Sequence, residues 1–406
     1  MRPTFTTMAI CTTAMALAQW EPRPSSTTRF LRDITFATPD LGFAVGDSGI
    51  IVRTQDAGET WSVVFNDGIS DLHAVHFASA TLGFAAGDFF ATGVILRTMD
   101  AGMTWAPCFS GSWQQFRSIH FSDTLNGFVG SGQWAMRTLD GGNTWITMPD
   151  LSNLELVTAI SFPSATVGYF IGGSDYSDQL WKTTDGGLTV QPITNGFQSI
   201  KECAQFFNDS VGYMGGWYSP MIARTDDGGL SWTEVGGGQS AWDMHFVNVN
   251  EGRIVQWGGG WGSILRTVDG CATWITEYDE PNVQLEALHM VSDQLGFACG
   301  SNGLILKTTN GGAGVHDAAR PASAMIVSPN PSNGLVALFS PAFGNKRVLS
   351  IGIEDGSGRR LAQVSATSDQ GKVELHLPSV MSNGSYTATV RDAAGPLGSA
   401  PFTLMR

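Results

Sequence analysis

An eight-residue pattern, Thr-x-Asp-x-Gly-x-Thr-Trp, recurs along this chain and restricts what it can fold into. It stands at Thr54–Trp61, Thr98–Trp105 and Thr138–Trp145. Ser replaces the second Thr at Thr225–Trp232, and Cys replaces Gly at Thr267–Trp274. The copy at Thr183–Val190 lacks the Trp, and a last copy keeps Thr308, Asn310 and Gly312. Successive copies lie 40 to 45 residues apart. That period fits one four-stranded propeller blade per repeat.

The residue types describe a tight turn between two strands. A carboxylate accepts hydrogen bonds from nearby backbone N–H groups, as in Asx turns, and Gly supplies the positive φ that a Cβ resists. The hydroxyls cross-bond the turn, and the Trp opening the next strand buries a large flat surface. Asp56, Asp100, Asp140, Asp185, Asp227 and Asp269 are therefore read as scaffold, in preference to catalytic carboxylates or a calcium site, because such turns satisfy themselves.

The same grammar precedes each turn. An alternating run (Leu72 to Phe77) is followed by a Gly-aromatic-apolar run (Gly83 to Gly87) and a third run (Val94 to Thr98). Gly42, Gly83, Gly127, Gly168, Gly212, Gly252 and Gly296 head the second run in register. Period-2 patterning bounded by Gly, Asp and Asn, with no sustained helical period, predicts an all-β chain. With strands named A to D in each repeat, the seventh lacks a Thr-Trp to begin strand D. Gln19-Trp20-Glu21-Pro22 resembles Thr104-Trp105-Ala106-Pro107. The N-terminal segment is thus expected to be the outer strand of the last blade, closing a seven-bladed β-propeller.

The repeat resembles the Asp-box, or bacterial neuraminidase repeat. Its longer form, Gly-Phe-x-x-Gly through Arg/Lys-Thr-x-Asp-x-Gly-x-Thr-Trp, looks most like propellers related to the photosystem II stability and assembly factor. This resemblance covers Trp20 to Gly312 and implies a fold more than a function, since hydrolases, receptors and assembly factors share the turn. Sialidase chemistry needs three converging arginines and a Tyr–Glu pair. Here Arg53, Arg97, Arg137, Lys182, Arg224, Arg266 and Lys307 are spread one per repeat before the turn Thr, where a structural role is favoured over an anion-reading ring.

Residues 1–18 carry Arg2, a short apolar stretch from Met8 to Leu17, and Ala16-Leu17-Ala18 before Gln19. This is a signal-peptide pattern, and no run reaches the ~18 apolar residues of a transmembrane segment. With 22 basic against 36 acidic residues the net charge is −14, which argues against nucleic acid and anionic membrane as partners. Beyond the leader's Cys11, the cysteines are Cys108, Cys203, Cys271 and Cys299. Their spacing fits neither a metal site nor a disulfide framework, and they read as small buried residues; oxidising surroundings permit a Cys271–Cys299 bridge. No cofactor or metal is expected.

Seven tryptophans outside the turns fall in or beside the B–C and D–A connections: Trp113, Trp134, Trp181, Trp217, Trp242, Trp257 and Trp261. Phe89, Phe90, Tyr176 and Tyr218 occupy comparable loops, and Trp257 to Trp261 reads as an open, aromatic-ended loop. Aromatics in glycine-rich loops on one face suit stacking on sugars or anchoring a protein. The candidate ligand-binding set is therefore Trp113, Trp134, Trp181, Trp217, Tyr218, Trp242, Trp257 and Trp261. Asp88, Asp175, Asp178 and Asp243 map to the same face, but nothing marks two of them as a catalytic pair.

Residues 313–324 form a small-residue linker between the propeller (19–312) and a tail (325–406) whose strands near Val348 to Ile353, Val373 to Leu377, Tyr386 to Val390 and Phe402 to Met405 fit a small β-sandwich. Pro329-Asn330-Pro331, Asp355 to Arg359 and Asn383-Gly384-Ser385-Tyr386 resemble the type A C-terminal sorting domain of type IX secretion. That resemblance implies the secretion machinery as a partner of residues 325–406, and a secreted or outer-membrane-surface protein of a Bacteroidetes-type bacterium. It also implies a setting away from photosynthesis. The expectation is an exported binding module for carbohydrate or protein, with a glycoside hydrolase of the Asp-box type as the alternative.

Overall fold

The computed structural model describes residues 20–312 except 91, 113, 133, 152–155, 175–176, 194–200, 217–220 and 259. Of the remainder it describes 326–328, 335–339, 348–355, 360–367, 372–377, 381–382, 384–392 and 395–404. The chain divides into two units, residues 1–314 and 315–406.

The first unit consists of seven four-stranded antiparallel sheets, six of them continuous in sequence. Strand A of each sheet neighbours strand A of the next, and the last returns to the first. This is the expected propeller. The A strands run Leu31–Phe36, Asp71–Phe77, Phe116–Phe121, Val157–Ser161, Lys201–Phe206, Asp243–Phe246 and Leu285–Met290. In blade 7 the outer strand is Glu21–Arg23 from the N-terminus, paired with Ile305–Thr308, as Glu21↔Lys307 and Arg23↔Ile305. Trp20, 2% exposed, packs into the core between blades 6 and 7.

Each Asp turn closes on itself. In blade 1 Asp56 Oδ1 accepts the Thr54 hydroxyl at 2.7 Å and the Thr60 N–H at 2.9 Å, while Oδ2 accepts the Thr60 hydroxyl at 2.6 Å. Blades 2 to 6 repeat the Thr60-type hydroxyl bond at Asp100, Asp140, Asp185, Asp227 and Asp269. The N–H partner thus lies four residues after the carboxylate. Lacking its carboxylate, blade 7 keeps Thr308 Oγ1 to Asn310 Oδ1 at 2.9 Å.

The turn is also where one blade grips the next. Gly102, at φ +74, lies so close to Phe43 of the preceding blade that a Cβ would sit 2.0 Å from the ring. In blades 1, 2, 3 and 7 the basic residue before the turn reaches into the turn of the following blade. Arg53 donates to Ala101 O (2.8 Å), Arg97 to Gly141 O (3.0 Å) and Arg137 to Gly187 O (2.7 Å), all in the turn of the following blade. Lys307 pairs with Glu59 at 2.7 Å, carrying the link from blade 7 to blade 1. Lys182 also crosses to blade 5, at Asp209 O, whereas Arg224 and Arg266 pair within their own blades with Asp226 and Glu251. The four described cysteines are free thiols. Cys271 belongs to the core between blades 5 and 6 and Cys299 to that between blades 7 and 1, so the permitted bridge is absent.

The second unit has a three-stranded sheet (Ile326–Ser328, Leu335–Phe339, Lys372–His376) and a four-stranded one (Arg360–Thr367, Val348–Asp355, Gly384–Asp392, Gly395–Leu404). Leu338 and Val373 of the first share a buried cluster with Ile351, Ala388 and Leu404 of the second. The linker 313–324, Pro329 to Pro331, residues 356–359 and Asn383 lie outside the described residues.

Candidate binding site

A cavity of about 700 Å³ opens on the propeller axis where the A strands begin. Every blade contributes one residue at or near the start of its inner strand: Arg32, His73, Arg117, Thr158, Glu202, Trp242 and Glu286. In six blades the register against strand B shifts at this residue, as between Leu31 and Asp33 or Lys201 and Cys203. A bulge leaves one residue unpaired and re-aims its side chain. The alternation of strand A is broken at one point, and that point faces the axis.

Polar side chains just below lock neighbouring A strands together. Asp33 accepts its own Ile34 N–H (2.8 Å) and Val75 N–H of blade 2 (2.7 Å). Asp243 likewise accepts Met244 N–H (2.8 Å) and Leu288 N–H of blade 7 (2.8 Å). Burial pushes their carboxyls up, Asp33 to about 8 with help from the Asp243 charge, and Asp243 to about 6. Glu286, raised to about 7 mainly by burial, accepts a hydrogen bond from Trp242. Deeper still lie four buried histidines. The His76 and His120 rings are 4.9 Å apart, and those of His245 and His289 are 5.0 Å apart.

Around the funnel, strands B and C alternate in height. Strand B has five residues in blades 1, 3, 5 and 7 (such as Gly42–Gly46) and seven in blades 2, 4 and 6 (Gly83–Phe89, Gly168–Ser174, Gly252–Gly258). Two extra residues raise a hairpin by roughly 7 Å. Blade 2 ends in Phe89 and Phe90, ring centroids 4.6 Å apart, with Phe90 80% exposed and at φ 54. Gln115, on the funnel wall, donates to Phe90 O at 3.3 Å. In blade 6 Trp261 is exposed and pairs with Gly258, so the supposed open loop is a tight hairpin whose strands simply run further.

The remaining candidates separate. Trp181 lies in strand C (Ser177–Thr183), 7% exposed in the core of blades 3 and 4, because its register position points inward. This corrects its assignment to a ligand face. Trp134 is partly buried against the core of blades 2 and 3. Trp242 lines the funnel and Trp261 stands at its rim. Trp257 lies in strand B of blade 6, while Trp113, Trp217, Tyr218, Tyr176 and Asp175 lie outside the described residues. Asp88 is engaged by His73 at 2.9 Å. The funnel residues Arg32, Arg117, Glu202 and Glu286 were not singled out in sequence. Their signal is a repeat position that changes chemistry from blade to blade beside apolar neighbours.

Residues 12–111 match the family model described as Photosynthesis system II assembly factor YCF48. Over that stretch the chain is similar to YCF48. Two solved YCF48 structures share the propeller's fold. One, described as YCF48 bound to D1 peptide, is 19% identical with a TM-score of 0.59, covering 73% of this chain and 99% of that one. YCF48 from Cyanidioschyzon merolae is 20% identical with a TM-score of 0.57, covering 72% and 98%. The WD40 propeller of Doa1 follows at 12% and 0.55, covering 72% and 97%. No curated protein matches in sequence. Among the described residues no group of three or more His, Cys, Asp or Glu could hold a metal, and no helix is long and apolar enough to cross a membrane.

Proposed function

We propose that this chain is an exported interaction module whose YCF48-like propeller holds a peptide segment of a partner protein over its axial funnel. The observation that carries this reading is the funnel itself, walled by all seven blades and overhung by Phe89 and Phe90. Phe90 keeps a bulky, exposed ring at positive φ, a conformation that costs free energy. Cavities with charged walls and an exposed aromatic rim suit protein segments better than sugars, which need several open platforms. Two of the expected platforms, Trp134 and Trp181, are instead packed into cores. The peptide seen with YCF48 supports a protein ligand for this fold. The hydrolase alternative is weakened, because both oxygens of Asp243 are committed to backbone N–H groups.

The test is a peptide array and a glycan array probed with the full chain. Peptides are expected to bind, and Phe90→Gly to weaken the best of them about tenfold. That variant should leave the melting temperature equal or higher, since Gly relieves the positive φ. Glycan binding without peptide binding would overturn the reading in favour of the carbohydrate ligand, and reducing-end release would favour the hydrolase.

Export belongs to the same proposal: residues 1–18 as a leader, the two sheets beyond residue 325 as a sandwich-type sorting domain, and the cell exterior as destination. In a bacterium with type IX secretion, deleting 325–406 is expected to strand the chain in the periplasm. Undiminished secretion of the deletion variant would remove the sorting role.

A further inference from the structure

The funnel wall is not electrically even, and the asymmetry names the ligand that the peptide reading leaves open. Its cations are already engaged. Arg32 Nε lies 2.5 Å from Asp47 Oδ1, and Arg32 Nη1 lies 3.8 Å from Glu286. Arg117 Nη1 lies 3.0 Å from His73 Nδ1, and His73 Nε2 faces Asp88 at 2.9 Å. The other side is different. Glu202 of blade 5 has no hydrogen bond among the described residues, although it lines the cavity. Blade 6 places Trp242 next, and blade 7 places Glu286, which that indole holds. Two carboxylates flanking an indole, in a cavity whose arginines are occupied, make a cation site. Burial raises the proton affinity of both Glu202 and Glu286, and the charges of Arg117 and Arg32 offset it only in part.

We propose that the funnel selects a peptide segment presenting a lysine or arginine side chain, which enters beside Trp242 between Glu202 and Glu286. The inference rests on the peptide reading above. An apolar residue next to that cation would reach Phe89 and Phe90 at the rim. The overall charge of −14 steers such a segment toward the protein in the same sense.

The probe is a matched trio of rhodamine-labelled peptides, Gly-Ser-Gly-Phe-X-Phe-Gly-Ser-Gly, with X lysine, norleucine or glutamate, titrated against the full chain by fluorescence anisotropy. Lysine is expected to bind about tenfold tighter than norleucine, with glutamate weakest. Raising the salt from about 20 to about 300 mM should shrink that preference. The double variant Glu202→Gln, Glu286→Gln should abolish it while leaving the near-ultraviolet spectrum of the folded chain in place. The salt series on the unaltered chain reads the same charge without any substitution. Equal binding of all three peptides, a preference for glutamate, or a lysine preference that survives the double variant overturns the inference and leaves the peptide reading standing. Absence of binding by any of the three overturns both.

Discussion

Glu277→Ala is expected to destabilise the propeller by roughly 3–5 kcal/mol, the cost of stranding a buried charge. Glu277 stands in strand D of blade 6 (Ile275–Pro281) and accepts hydrogen bonds from the closing N-terminal segment and from strand B of its own blade. Trp20 Nε1 donates to Glu277 Oε2 at 3.0 Å, tying in the N-terminal strand. Arg253 Nε, from strand B of the same blade, donates to the same oxygen at 3.0 Å. The Arg253 guanidinium also donates to Gly311 O, where the last repeat ends. The side chains of Arg253 and Glu277 are 0% and 1% exposed, so neither charge has water to turn to once its partner is gone.

Removing the carboxylate therefore leaves Arg253 without its counter-charge, bonded to Gly311 O, and releases Trp20 from its only described side-chain acceptor. Because the N-terminal strand is three residues long, its hold on blade 7 rests on three ladder pairs and the buried Trp20 ring. The urea midpoint of Glu277→Ala, compared with that of the unaltered chain, measures the effect. A loss below about 1 kcal/mol would mean that the closure does not depend on this charge. The double variant Arg253→Met, Glu277→Leu removes both charges together, and it should recover most of the stability, since an apolar pair of similar volume replaces the ion pair.

The closure was legible in sequence because it depends on a repeat. Gln19 to Pro22 copies Thr104 to Pro107, and blade 7 lacks the matching strand. The fold was legible for the same reason: one turn recurring at a blade's period, with Gly heading each second strand. The candidate site was less so. Trp181 reads in sequence like any loop-flanking aromatic, and only the register of strand C turns it inward. Arg32, Glu202 and Glu286 read as the polar half of an alternating strand. A one-residue bulge aims them at the axis, and a bulge leaves no residue type behind it. The height of the blade 6 hairpin was hidden by its glycines, which suit a loose loop and an extended strand end alike.

Conformational stability is expected to peak near pH 6, because two sets of axial groups are shifted in opposite directions by the same burial. Asp33 and Glu286 are raised to about 8 and about 7. Each native state holds a proton there that the unfolded chain, with ordinary carboxyls, has released. Their contribution is complete below the ordinary carboxyl range and is lost as pH rises, at up to about 2.7 kcal/mol per pH unit while both differ by a full proton and progressively less as pH passes through 7 and 8. His76 and His245 are lowered to about 4, and His120 and His289 to about 3. Below about 6.5 the unfolded chain takes up protons that these buried rings refuse, so they cost stability as pH falls from 6.5 toward 4. Over that interval four imidazoles oppose three raised carboxyls, Asp243 at about 6 being the third, and the net slope is shallow. Below pH 4 the turn carboxylates join the histidines: Asp56, Asp100, Asp140, Asp185 and Asp227 are held down to about 2 by their Thr or Ser partners. Their stabilisation is present above the ordinary carboxyl range and lost as pH falls through 2, which makes the acid limb steep. Urea midpoints at pH 5, 6.5 and 8 test the profile. Glu286→Gln, which cannot ionise, should flatten the alkaline limb and exceed the unaltered chain in stability at pH 8. Midpoints that hold constant or rise between pH 6.5 and 8 would show that the raised carboxyls do not govern the axial core.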